Sequence, residues 1–477
     1  MADEFTAGVA VRDITPTPEW VQNLTNRAMT VRTSEPGSPL KVKTLILSLG
    51  NTTALLVAID TCVLDQDHCN LLRKVISGKT GVAADHIVVT SSHSHSTPFV
   101  ELLDEPHPYF DLICERAIEA AVAAHGSRQP ARLGFGRGHV VGASFNTRVP
   151  LANGGVKFTR DFREGLATGR PIDPRVSILR VDDASGRPLA GWVRLALHPA
   201  CVIFDAPLSA EYPGYMTDEL SRTVGHEAPF LYSLGACGDV NCIPMFGSEE
   251  DTRRLGLNLA AWIGPMFDAI ETGCPKRLEA TTGTVDLPLD PPPSLEELDS
   301  EIAAVKAFCK DLETDPSLEW VMGVNCEPNW TVEQKTRHAG VLRDWAEKVK
   351  QQIARGEAFP STWRSQLATW LIDDVALVFY SGEPLVELGL ELAARSNLTE
   401  TLLMGMCNGS DGYVGTDEDR RRGGYETYTN CRTMRLKPGY RPLPYALGAA
   451  NQLIEKSLET IDALCSENAK ERTAGVC

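Results

Sequence analysis

The sequence predicts a mixed α/β fold: β-sheets flanked by helices, a metal site at strand ends, and one helical insertion. Three observations point there. Short β-branched runs alternate with helical stretches over residues 1–285 and again after about residue 356. One of those runs ends in a polar loop with two histidines, and another ends directly in histidine. A chain of 477 residues with 43% hydrophobic and 23% charged content can bury one large core or two ordinary ones.

Taken in order, Lys43–Leu49, Ala54–Asp60 and Ile87–Thr90 read as strands, as do Arg175–Val181 and Gly191–Leu197. Cys69–Lys79 and Tyr109–His125 read as helices, the second with Phe110, Ile113, Ala117 and Ala121 at helical spacing. The composition shifts near Asp290. Three prolines, Pro291 to Pro293, precede Ser294-Leu295-Glu296-Glu297, a capping-box start. Leu295, Leu298, Ile302, Val305, Cys309 and Leu312 then recur at steps of three and four, and a second helix follows from about Val332 to Ile353. Residues 290–356 therefore read as a helical hairpin inserted into, or leaning on, the α/β body of a single domain spanning 1–477. Beyond it come a strand at Asp374–Tyr380, a helix at Leu385–Arg395, a strand around Leu402–Met406 and a closing helix at Tyr445–Leu464.

A net charge of −17 argues against nucleic acid or an anionic membrane surface as partner, because both require clustered Lys and Arg. The start carries acids where a signal peptide needs a basic stretch and an apolar run. No stretch approaches the roughly 20 apolar residues of a membrane span. The thirteen cysteines are scattered and never form a Cys-x-x-Cys pair, the pattern of reduced thiols. The expectation is a cytoplasmic protein acting on a small-molecule substrate, without stable membrane insertion. The oligomeric state is not legible.

The strongest chemical signal is Ile87-Val88-Val89-Thr90-Ser91-Ser92-His93-Ser94-His95-Ser96-Thr97-Pro98, an apolar strand running into a polar loop. Groups that bind and react collect where strands end, and residues two apart in extended chain point to one side. His93 and His95 can thus face one centre, and imidazole is the commonest zinc ligand, or the pair serves only as hydrogen-bonding loop residues. A second strand ends in Leu197-His198-Pro199, where His198 is either a further ligand or a hydrogen-bonded histidine near the core. Glu383, behind Gly382 at a strand-to-helix turn, can add the oxygen ligand, or serve merely as a helix-start charge. Cys407–Thr416 with Gly423-Gly424-Tyr425-Glu426 is glycine-rich and polar, and Gly235–Asn241 is a small-residue loop that either binds or turns.

In order, Gly8-Val9-Ala10-Val11-Arg12-Asp13-Ile14-Thr15-Pro16, Ser92–Pro98, Phe145-Asn146-Thr147-Arg148-Val149-Pro150, Leu197-His198-Pro199, Gly235–Asn241, Gly382-Glu383 and Tyr413-Val414-Gly415-Thr416 with Tyr425-Glu426 resemble the signatures of the neutral (non-lysosomal) ceramidase family. The chain looks like a short form lacking that family's C-terminal β-sandwich domain. The resemblance implies one zinc per chain, held by His93, His198, Glu383 and Tyr413. It implies substrate-contacting roles for His95, Arg148 and Tyr425, and hydrolysis of an N-acyl amide by zinc-activated water. Pro384 replaces the phenylalanine after Gly-Glu, Thr97 replaces a glycine, and Asn241 replaces a serine. These departures leave two alternatives open. One is a zinc hydrolase of a glycosidic, ester or lactone bond in a small polar substrate; the other is a non-catalytic binding protein on the same fold.

Overall fold

Two β-sheets packed face to face carry the architecture. The structure is a computed structural model and describes residues 4–17, 31–32, 37–98, 108–202, 206–321, 324–325, 330–433 and 439–474. The first sheet contains β1 (Thr6–Asp13), β2 (Lys41–Leu49), β3 (Thr52–Ile59), β4 (Ile87–Ser91), β5 (Gln129–His139), β6 (Arg175–Asp183), β7 (Pro188–Leu195) and β8 (Phe230–Leu234). Its spatial order is β8-β7-β6-β5-β1-β2-β3-β4. The second contains β9 (Leu278–Pro288), β10 (Thr362–Ile372), β11 (Val375–Tyr380) and β12 (Glu400–Met404), in that order.

The strand residues are apolar on both sides because both faces are covered. In β2, Leu45 and Leu47 face the second sheet while Val42 and Ile46 face helices, and β3 alternates the same way. Between the sheets lie Leu56, Leu179 and Trp192 against Trp370, Phe379 and Met404. The Trp192 and Phe379 rings are stacked at 6.1 Å, and Trp370 meets both edge-on. The outer face of the first sheet is covered by α1 (Gln66–Thr80), α2 (Pro108–Gly126), α3 (Glu211–Thr223) and α4 (Glu249–Asp268). After the second sheet's first strand come α5 (Leu295–Asp311) and α6 (Val332–Ala354), which pack on each other through Val305, Phe308, Ala339 and Leu342. With α6, the helices α7 (Val386–Arg395) and α8 (Ala449–Ala474) cover the second sheet's outer face. The result is four layers, helix–sheet–sheet–helix, the mixed α/β class the sequence predicts.

Several boundaries differ from the sequence expectation. The strand expected to reach Leu197 leaves the ladder at Leu195, and His198 instead bridges Asn241. The last helix begins at Ala449, not Tyr445, because Gly448 sits at φ 88° and Tyr445 pairs with Leu289. Strand β5 was not anticipated. Its Gly134, Gly136 and Gly138 depress β-propensity, yet a Cβ there would lie 2.3–2.6 Å from Glu271, Ile270 or Met266. The glycines form the groove in which the end of α4 lies. No helix among the described residues is long and apolar enough to cross a membrane.

Candidate metal centre and active site

Within the two sheets most strand pairs are antiparallel, but three are parallel: β3–β4, β7–β8 and β11–β12. Each is closed by a helix, α1, α3 and α7 respectively, since parallel strands need a crossover. The carboxyl ends of all three pairs meet at one place. Ser91 N donates to Met406 O (3.1 Å), His95 N to Pro199 O (3.2 Å), and Gly238 N to Pro384 O (3.0 Å). Residues far apart in sequence are thereby fastened through backbone.

From the first unit come His93 and His95. His93 N donates to Thr61 O at 2.9 Å, and the residue sits at φ 63°. Left-handed backbone costs a non-glycine residue about 1–2 kcal/mol. The second unit supplies His198, whose N donates to Val240 O at 3.1 Å. Glu383 comes from the third, where it bridges Tyr413 in a short parallel pair.

His93, His198 and Glu383 are buried, and their ligand-type atoms all lie within 4.8 Å of one another. His93 Nε2 is 3.1 Å from Glu383 Oε2. His93 Nδ1 donates to Cys62 O (2.7 Å), and His198 Nδ1 faces Cys237 O (3.5 Å). A backbone carbonyl thus holds one nitrogen of each ring and turns the other inward, the arrangement that orients ligating histidines. Burial drives the pKa of His198 well below the usual imidazole range, and charge on His93 adds to this. Its neutral, ligating form is favoured. Burial works against ionising Glu383, but the charge and hydrogen bond of His93 outweigh it and lower its pKa. Two imidazoles and a carboxylate at this spacing fit around a single ion with ligand distances of about 2.0–2.2 Å. Tyr413 hydrogen-bonds Glu383, and burial followed by that carboxylate keeps its phenol protonated.

His95 stands beside this group, part exposed where His93 and His198 are buried. Its Nε2 is 3.0 Å from His198 Nε2. Tyr425 packs edge-on against Tyr413 with ring centroids 5.8 Å apart, and its hydroxyl accepts from Asn430 Nδ2 at 3.0 Å. The structure therefore gathers His93, His95, His198, Glu383, Tyr413 and Tyr425 around one point. Arg148 is different. Its guanidinium is fully buried, pairs with Glu426 and Asp419, and donates to Gly423 O at 2.9 Å. It grips the turn that carries Tyr425.

Two further acids stand close to the site. In the Gly235–Asn241 loop, Asp239 accepts from Val386 N (2.8 Å) and Asn146 Nδ2 (2.7 Å). It accepts from the first N–H of α7 and so fixes the turn that carries Glu383. Glu211, at φ 50°, is fully buried between the two histidine loops. Burial pushes its pKa up to about 8 against the pull of backbone N–H groups. In sequence it is only an acid at a helix start.

Fold and site define a four-layer mixed α/β protein with a buried histidine–carboxylate cluster of metal-ligand type at strand ends. No protein-family model matches the sequence. A stretch of 157 residues, 30% of this chain, is 26% identical to neutral ceramidase A and to neutral ceramidase B of Dictyostelium discoideum. That stretch spans 21% of each relative's length. In three dimensions the chain matches the crystal structure of neutral ceramidase from Pseudomonas aeruginosa with a TM-score of 0.60 at 16% identity, over 89% of this chain and 71% of that one. It also matches a ceramidase complexed with C2, with a TM-score of 0.64 at 15% identity, over 95% and 74% of the two chains. Over that stretch the chain resembles neutral ceramidases, and it shares the fold of these solved structures.

Proposed function

We propose that this protein is a zinc-dependent hydrolase of an N-acyl amide. The observation that carries the reading is the convergence of His93, His198 and Glu383 within 4.8 Å at the ends of three parallel strand pairs. Those three residues, with Tyr413 as fourth, would hold one zinc ion. When bound, zinc supplies Lewis acidity and lowers the pKa of a coordinated water from about 15.7 toward about 7.

The protein's own groups do the rest. His95, part exposed and 3.0 Å from His198, is placed to hold or pass a proton at Nε2. Tyr425 presents a phenol hydroxyl, steadied by Asn430, to a carbonyl oxygen gaining charge. One well-placed donor of that kind contributes about 3–4 kcal/mol to the transition state. Arg148 acts at one remove from substrate by fixing the Tyr425 turn. Residues 290–356 are read as an insertion in a single domain.

The test is elemental mass spectrometry on protein purified without chelator, followed by turnover on N-acyl amides including a fluorescent ceramide. Close to one zinc per chain is expected, with both zinc and turnover lost in H198A. Full zinc occupancy in H198A would overturn the ligand assignment. Turnover confined to ester, lactone or glycosidic substrates would move the bond while leaving the site, and zinc-free wild-type protein would leave a binding protein.

A further inference from the structure

Five hydrogen-bond donors converge on the Glu211 carboxylate. Oε1 accepts from Ser94 Oγ (3.2 Å), His95 N (2.9 Å) and Ser96 N (3.2 Å). Oε2 accepts from Cys201 N (2.8 Å) and Val202 N (3.2 Å). The first three belong to the His93–His95 loop and the last two to the loop that begins at His198. One side chain thus spans two loops more than a hundred residues apart in sequence, and each oxygen serves one loop. Its own N–H donates to Ser209 Oγ at 3.0 Å, and its backbone is held at φ 50°, a conformation a glutamate adopts at a cost. Without the carboxylate, the N–H groups of Cys201 and Val202 would lose their acceptor, and those of His95 and Ser96 would keep only the Pro199 carbonyl (3.2 Å) and Ser94 Oγ (3.3 Å).

We propose that Glu211 is a positioning residue that sets the separation of the two histidine loops, and with it the metal affinity and reactivity of the site. The proposal rests on the metal-site reading above and concerns how that site is kept in shape. The ionised form, which the backbone N–H groups favour against burial, suits the task because a carboxylate offers two acceptors and no donor. Glutamine would turn an NH2 toward N–H groups on one side or the other. Aspartate, one methylene shorter, would reach one loop but not both.

The experiment compares wild type, E211Q and E211G by zinc dissociation constant, from chelator competition, and by kcat and KM at saturating zinc. Glycine is chosen because it relieves the left-handed backbone, which separates loss of the carboxylate from loss of the fold. In both variants zinc binding is expected to weaken roughly 10–100-fold, the range for groups that orient ligands. The value of kcat is expected to fall while KM changes little, and sodium formate is expected to restore part of the zinc affinity of E211G but not of wild type. Zinc affinity and kcat within twofold of wild type in a folded variant would overturn the proposal. So would a loss in E211G that is confined to thermal stability. If neither variant folds, S94A decides, since it removes one of the five donors: severalfold weaker zinc binding supports the clamp, and unchanged binding overturns it. Absence of zinc from the wild type would defeat the metal-site reading itself, a result distinct from either outcome for Glu211.

Discussion

Arg148 shows how much of a site is set by partners that sequence does not reveal. Its guanidinium serves Glu426 and Asp419, 278 and 271 residues away, and is fully buried. R148M removes the cation and leaves the buried Glu426 carboxylate without its ion-pair partner, while Asp419 keeps Arg170 at 2.8 Å. Urea unfolding should show a loss of about 3–5 kcal/mol, and turnover should fall through displacement of Tyr425. Unchanged stability would contradict the ion-pair account. His93 and His198 were readable because each follows an apolar strand and sits beside a turn, a local pattern. Glu211 was not, because its five partners lie elsewhere in the chain and its own neighbourhood looks like an ordinary helix start. Arg148 was readable as a residue of interest, but its place behind the site, gripping a turn, was not.

Strands and helices were legible where their apolar pattern was unbroken, as in β2, β3 and α2, and illegible where packing demanded glycine, as in β5. Gly134 and Gly283 form a matched pair for testing this. A Cβ at Gly134 would lie 2.3 Å from the Glu271 carbonyl, whereas one at Gly283 would meet nothing within 4 Å. G134A should destabilise by about 1–3 kcal/mol, the range for overpacking, and G283A should not destabilise measurably in the same urea titration. Ionic contacts also join elements. Arg194 on β7 pairs with Asp173 at 2.9 Å and reaches the Leu403 carbonyl on β12, joining the two sheets. Burial favours the neutral Asp173 carboxyl, but the charge of Arg194 and the hydrogen bond from Arg175 outweigh it and hold its pKa well below the ordinary carboxylate range. Its stabilisation is therefore complete above the unfolded value of about 3.9 and is lost as pH falls toward the folded one. The urea midpoint should drop below about pH 4. D173N should flatten that drop and, at neutral pH, cost about 3–5 kcal/mol by leaving Arg194 buried without its partner. An equally steep acid drop in D173N would assign it to other carboxylates.

Taken whole, the protein is two sheets whose facing aromatic residues make one core and whose strand ends make one centre. The layered class was readable from the alternation of strands and helices; the pairing of the sheets was not, because nothing local tells which face of β2 or β11 meets which. A site that exists only in the folded state couples metal to stability. Zinc at a hundred times its dissociation constant should raise stability by about 2.7 kcal/mol. Thermal scans with zinc and with chelator should therefore differ by several degrees, and coincident scans would show that no ion binds the folded form. The three parallel strand pairs carry a kinetic consequence as well. His93 and Glu383 are 290 residues apart and follow strands of different sheets, so neither sheet forming alone assembles the full ligand set. Contacts at such separation form late. Capture of the ion would then mark the moment at which the two halves have docked, and the rate of metal uptake during refolding would time the last step of the molecule's assembly.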